Sequence, residues 1–239
     1  EANALFGVRH YRKYEFLITL SDHLEDFGLE HHESSDNRMS ERALVDDDKR
    51  AYWASLLPHE YVHSWNGKYR RPAGLATGDY ETPMTDELLW VYEGLTQYLG
   101  VVLSARSGLE LPEETESEIA VWSKMMELHG GRAWRPLEDT AVEAQVLYGA
   151  SAQWQALRRS VDFYDESVLV WLDVDMRIRT LTKGAKSLDD FCKSFHGAHG
   201  AHGDDANKPA LLPYTFDDVV KTLNDVAPFD WATFLRARV

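Results

Sequence analysis

"LLPHEYVHSWNGKYRRP", residues 56–72, sets two histidines four positions apart with a glutamate directly after the first. On an α-helix such residues lie roughly 40° apart around the axis, so His59 and His63 project side by side. Two neutral imidazole nitrogens at that spacing can hold Zn²⁺ at about 2.0–2.1 Å each. Glu60 is rotated roughly 100° from His59, near enough to reach a water at the metal without ligating. The surroundings predict a helix: Ala51, Trp53, Ala54, Leu57 and Tyr61 recur at helix-like intervals from Lys49 to about Trp65. Pro58 either kinks that helix or marks its start, and in both cases His59 to His63 form one continuous turn. Five residues alone could still arise by accident on a surface helix.

A catalytic zinc needs a third protein ligand and one open position. Glu93, in "LLWVYEGLTQYLG", is the candidate. It stands among Leu88, Leu89, Trp90, Val91, Leu95, Tyr98 and Leu99, where an unpaired carboxylate is costly. The plainer alternative is a glutamate on that helix's polar face. A helix, a loop and a second helix are what bring one ligand to a pair, and the metal reading takes precedence.

The rest of the chain bounds the classes. Its 239 residues suit one large domain or two lobes sharing a core, and 44% hydrophobic residues suffice to fill it. With 25 Lys+Arg against 40 Asp+Glu, the formal charge of −15 argues against nucleic acid or an anionic membrane as partner. A solvated acidic surface is the plain reading of that charge. Cys192 is the only cysteine, which excludes an intramolecular disulfide and a cysteine-rich zinc finger. No apolar run reaches about 18 residues, so no membrane insertion is expected. The start at Glu1 without a methionine is expected of a processed product or an excised piece, and leaves the compartment open.

Along the chain, residues 8–20 predict one or two strands, 25–35 a short extended or turning segment, and 36–48 a polar loop. Residues 66–83 read as a surface loop, after which Thr85 is expected to cap a long helix ending near Gly108. Further helices are expected over 112–131, 140–159, 164–182, 187–195, 215–226 and 229–237. The class is α+β: a small β-rich lobe with the histidine helix (1–66), then a helical lobe (67–239).

"HEYVHSWN" followed by "LLWVYEGLTQYLG" resembles the glycyl aminopeptidase family of gluzincin zinc peptidases. "GLEHHESS" (28–35) resembles that family's Gly-Leu-Glu-His segment, and "DFYDESVLVWLDVDMRIR" (162–179) its Tyr-x-Lys-Gly helix start. The tail from Tyr214 is similar to the end of the family's catalytic region. The resemblance implies a thermolysin-like zincin domain over 1–239 with one Zn²⁺ per chain on His59, His63 and Glu93. It further implies Glu60 as base, Tyr164 as oxyanion donor, and an edge strand with Gly28, Glu30 and His31 against the substrate. Glu30 would take the amino group of a peptide with a free N-terminus, with Gly or Ala expected first. Full-length members usually add an N-terminal β domain and a C-terminal PDZ module, and neither is expected within this chain. Two departures stand out: Phe27 where a second glycine is common, and Glu166-Ser167 in place of Lys-Gly. The second departure alone favours another class, a degenerate member that binds peptides without cleaving them; the intact Glu60 favours the enzyme.

Three readings compete with these. "HGAHGAHG" places His196, His199 and His202 three apart, which could bind a second metal, but ordering so glycine-rich a stretch costs about 1–2 kcal/mol per residue and a flexible loop is expected. Cys192 follows Phe191 at an apolar helical position and reads as a core residue rather than a nucleophile. Alternation along a strand would turn His32 to solvent, and Trp65 and Trp90 read as packing around the metal helices.

Overall fold

The computed structural model describes residues 1–151, 153–197 and 211–239. A short helix α1 (Ala2–Phe6) precedes strands β1 (Glu15–Leu20), β2 (Phe27–Glu30) and β3 (Ser34–Met39). Next come α2 (Asp47–Trp53), α3 (Leu56–Val62), β4 (Arg70–Pro72), α4 (Leu89–Tyr92), α5 (Gly94–Ser107) and α6 (Pro112–Leu128). The helices α7 (Leu137–Val142), α8 (Ala144–Tyr148), α9 (Gln155–Arg158), α10 (Asp165–Leu181) and α11 (Leu188–Gly197) follow. Strand β5 (Leu212–Tyr214), α12 (Phe216–Val226) and α13 (Trp231–Arg236) complete the α+β order. No helix among the described residues is long and apolar enough to cross a membrane.

The first sheet corrects the sequence expectation. Residues 34–39 form its central strand, where a polar loop was expected from Asp36: β1 pairs parallel to β3 and β2 antiparallel to it. The strand was hidden because its inward residues include Ser35 and Asn37. Their polarity is absorbed locally, since Asn37 Nδ2 donates to the carbonyls of Leu17 (3.1 Å) and Ser35 (3.2 Å) and to Ser35 Oγ (3.0 Å). This order leaves β2 as an edge strand, packed beside α3.

Pro58 marks a start rather than a kink. It has no N–H to donate and its ring crowds the carbonyl four residues back, so the helical run breaks at Ala54 and resumes as α3. His63 N still donates to His59 O at 3.3 Å, which keeps the two histidines on one turn. Thr85 caps no helix; its N–H bonds Gly74 O at 3.0 Å, and the next helix begins only at Leu89. The expected 215–226 helix starts on a capping box, with Thr215 Oγ1 accepting from Asp218 N (3.3 Å) and Asp218 Oδ2 from Thr215 N (2.8 Å).

The core lies between α3, α5 and α10 and continues to α11–α13. Trp65 stacks on Phe6 at 4.5 Å and Trp90 on Trp171 at 5.8 Å, so both tryptophans pack behind the histidine and glutamate helices. Each fully buried indole contributes about 4–6 kcal/mol of gross transfer free energy. Helix α1, to which the sequence reading assigned nothing, supplies Leu5 and Phe6 to this core.

Candidate metal centre

Helix α3 presents His59 and His63 inward, and Glu93 sits at the joint between α4 and α5. His59 Nε2 and His63 Nε2 are 3.1 Å apart, and Glu93 Oε2 is 3.3 Å from each. A point equidistant from all three lies about 1.9 Å from each, close to the 2.0–2.1 Å of a Zn–N bond. Although so near both rings, Glu93 Oε2 makes no hydrogen bond of normal geometry. Three electron-pair donors facing one point is an arrangement that a cation satisfies and protons satisfy poorly. The residues therefore fit a three-ligand metal ion with a position left open.

What surrounds the trio holds it in place. A carbonyl can only accept, so His63 Nδ1–H donates to Asn66 O (2.9 Å), which leaves Nε2 free to coordinate. The Asn66 amide donates to Val91 O (2.9 Å), Tyr92 O (3.1 Å) and Thr96 Oγ1 (3.0 Å). One buried side chain thus ties the end of the histidine helix to the turn carrying Glu93. Sequence reasoning missed Asn66; its only signal was a place just past the histidine pair.

The electrostatics are those of an anionic hollow. Burial alone would lower the His63 pKa, but Glu93, Glu30 and Glu60 outweigh it and push it up to about 9. Burial works to raise the Glu93 carboxyl, yet His63 and His59 hold it down to about 2. Glu30, Glu60 and His63 also converge within 4.8 Å of one another. Glu60 is 5% exposed, its Oε2 has no partner, and burial raises its pKa despite the imidazoles nearby.

Strand β2 runs directly over this base. A Cβ on Gly28 would lie 2.0 Å from Glu60 Oε1, so only glycine permits the approach. Two residues on, Glu30 accepts from Tyr92 OH (2.5 Å) and pairs with Lys68 Nζ (3.1 Å). Burial tends to raise its carboxyl, but His63 and Lys68 hold it down to about 2. Neither Tyr92 nor Lys68 was foreseen, because both contacts span long sequence separations.

The ring of Tyr164, at the start of α10, lies 6.2 Å from that of His59 and lines the same cleft. Glu166 is taken up by Arg159 and by Arg132, whose Nε donates to Glu166 Oε1 at 2.9 Å. Ser167 packs against Gly94, where an added Cβ would come 2.1 Å from its own.

The two histidines after Glu30 lie opposite to the expectation from alternation. β2 ends at Glu30 and the chain turns, so His31 is exposed and His32 half-buried, with Nε2–H donating to His10 O at 2.7 Å. His31 is not brought to the His59–His63–Glu93 group. Cys192 is fully buried in α11. His196, expected in a flexible loop, instead lies buried in the last turn of α11 with its ring edge-on to Phe6, while His199 and His202 lie outside the described residues.

The sequence profile of the M61 glycyl aminopeptidase family matches residues 52–170, about half of the chain, from α2 into α10. Among solved structures, an aminopeptidase N family protein from Idiomarina loihiensis is 22% identical with a TM-score of 0.81, over 99% of this chain and 40% of that one. An M1 zinc metallopeptidase from Deinococcus radiodurans is 15% identical with a TM-score of 0.54, over 98% of this chain and 41% of that one. A two-domain M1 zinc metallopeptidase variant bound to L-tryptophan is 13% identical with a TM-score of 0.59, again over 98% and 41%. At these identities the likeness shows the zincin-like fold, and this chain spans about two fifths of the length of those structures. A search of curated proteins found no match.

Proposed function

The chain belongs to the M61 glycyl aminopeptidase family, and from that premise we propose that it is the catalytic domain of a zinc aminopeptidase, releasing the first residue of peptides with a free N-terminus. The observation that carries this reading is the focus of His59 Nε2, His63 Nε2 and Glu93 Oε2, with the unpartnered Glu60 Oε2 close by. These three residues would hold one zinc ion; the Glu30–Glu60–His63 group shares His63 and offers no second site.

Zinc bound there would supply a Lewis acid that polarises the scissile carbonyl and acidifies a water. Glu60, buried and made more basic by that burial, takes the proton from the attacking water and returns it to the leaving amine. Tyr164 donates to the carbonyl oxygen as it gains charge; one such donor typically supplies about 10²–10³ in rate. Glu30 stays ionised at neutral pH and binds the substrate ammonium, in exchange for its contact with Lys68. The open edge of β2 at Gly28 accepts the substrate backbone as an added strand. His31 lies at the exposed rim beyond it.

A preference for glycine or alanine first is part of the proposal, supported by the family description and by the crowding of Glu30 between Tyr92 and Lys68. The reading as a non-cleaving peptide binder gains nothing from Glu166, whose charge is spent on Arg159 and Arg132. Glu60→Gln should keep zinc and lose at least about 10² in kcat, and acetylating the peptide N-terminus should abolish cleavage. Wild-type turnover in that variant, or equal cleavage of acetylated peptides, would overturn the proposal.

A further inference from the structure

Past the metal centre the cleft opens into a hollow of about 630 Å³ between α2, α3, α6 and the start of α10. His59, Glu60 and Tyr164 are at its buried end, and Tyr52, Trp53, Trp122 and Glu118 line it toward solvent. Phe27 and Gly28 also line it, whereas Glu30 does not.

Strand β2 therefore acts as a ruler. Glu30 lies at one end, Gly28 sits against Glu60 in the middle, and Phe27 opens onto the hollow at the other end. Each residue advances about 3.3 Å. A peptide whose ammonium rests on Glu30 and whose first peptide bond meets Glu60 sends its second residue into this hollow. That direction rests on the aminopeptidase reading.

The chemistry of the walls is specific. They are aromatic and acidic, with Asp26 and Glu118 and no lysine or arginine among the lining residues. Among the described residues no hydrogen bond or ion pair reaches the Glu118 carboxylate, and its charged neighbours are Glu110 and Asp165, both acidic. Burial first, and those carboxylates second, push Glu118 up to about 7. The buried, unpartnered Glu60 Oε2 in the same cleft marks this as a place where a ligand is still to be met. An unpaired carboxylate in a hollow that Trp53 and Trp122 also line calls for a cation on an alkyl stem: the stem covers the aromatic wall and the head reaches the carboxylate.

We propose that this hollow is the subsite for the second residue of the substrate, and that Glu118 selects lysine or arginine there. A half-exposed ion pair with a cation–π contact supports a preference of roughly tenfold over a neutral side chain of equal length.

The test compares kcat/KM for C-terminally amidated peptides with a free N-terminus beginning Ala-Lys, Ala-norleucine and Ala-Glu, with wild type and Glu118→Gln. The same peptides are titrated calorimetrically into Glu60→Gln and Glu60→Gln/Glu118→Gln. The expected order is Lys above norleucine above Glu, with the Lys-to-norleucine ratio collapsing toward one in Glu118→Gln. Equal rates in wild type, or a ratio that survives Glu118→Gln, would overturn the subsite while leaving the aminopeptidase reading intact. If no peptide is cleaved, that reading fails, and binding then decides: tighter lysine binding that depends on Glu118 supports the subsite, and equal binding overturns it.

Discussion

Arg159 offers the most demanding test of how the fold holds the cleft. It is 2% exposed, and each nitrogen of its guanidinium donates: Nε to Asp162 Oδ2 (2.9 Å), Nη1 to Arg135 O (2.8 Å) and Nη2 to Glu166 Oε2. Its backbone takes φ 64°, a left-handed value that a side chain adopts only when its contacts outweigh the strain. Arg159→Met keeps the stem and removes the charge, leaving two buried carboxylates without their main partner. Breaking a buried pair from one side costs about 3–5 kcal/mol. At about 2–4 °C per kcal/mol for a chain of this size, Tm should fall by roughly 6–20 °C in calorimetry at pH 7. Removing the less well compensated carboxylate as well, in Arg159→Met/Glu166→Met, should recover part of the loss. A coupling of about 1–3 kcal/mol is expected in the double-mutant cycle. Because Tyr164 lies within this pinned segment, kcat should drop more than KM changes. A loss below about 1 kcal/mol, or simple additivity, would refute the idea that this network anchors the start of α10.

Three further outcomes follow from the same geometry. Gly28→Ala should displace Glu60 or β2 and lower kcat/KM by about 10² with zinc retained, since misplacement near 1 Å costs that much; wild-type rates would show that β2 has slack the structure denies. Asn66→Ala should weaken zinc retention about 10–100-fold in a chelator competition, because the tie between the two ligand-bearing helices is cut; unchanged retention would remove Asn66 from the centre's support. Glu118 holds its proton more tightly folded (about 7) than unfolded (4.5), so its contribution is present below pH 4.5 and lost as pH rises through 7. Glu118→Gln should therefore be about 1–2 kcal/mol more stable than wild type at pH 8, after discounting for exposure, and no more stable at pH 4.5. Equal thermal melts at both pH values would contradict it.

The parts legible in the sequence were those whose signal is local. Two histidines one turn apart share a helix face whatever the fold, and a glutamate amid Trp90, Val91 and Leu95 needs a buried partner. Helices α6, α10 and α12 fall where they were expected, α12 behind a capping box, whereas the helix expected from Thr85 begins only at Leu89 and is interrupted at Glu93. Strand β3 did not, because Ser35 and Asn37 point inward, where Asn37 donates both within β3, to Ser35, and across to Leu17 O of β1. Thr85 looked like a cap because the competing acceptor, Gly74 O, is local in space but not in sequence. The supports of the centre were hidden for the same reason: Asn66 reaches Val91, and Tyr92 reaches Glu30 across 62 positions. Single-residue chemistry names the reacting groups; what orients them is long-range pairing.

Elemental analysis of the purified protein, with His63→Ala beside it, addresses the central claim. The account predicts about one zinc per wild-type chain and loss of that zinc in the variant, since the remaining pair of ligands no longer encloses a cation. A wild-type protein that takes up no zinc at neutral pH, or a variant that holds as much as wild type, would contradict it.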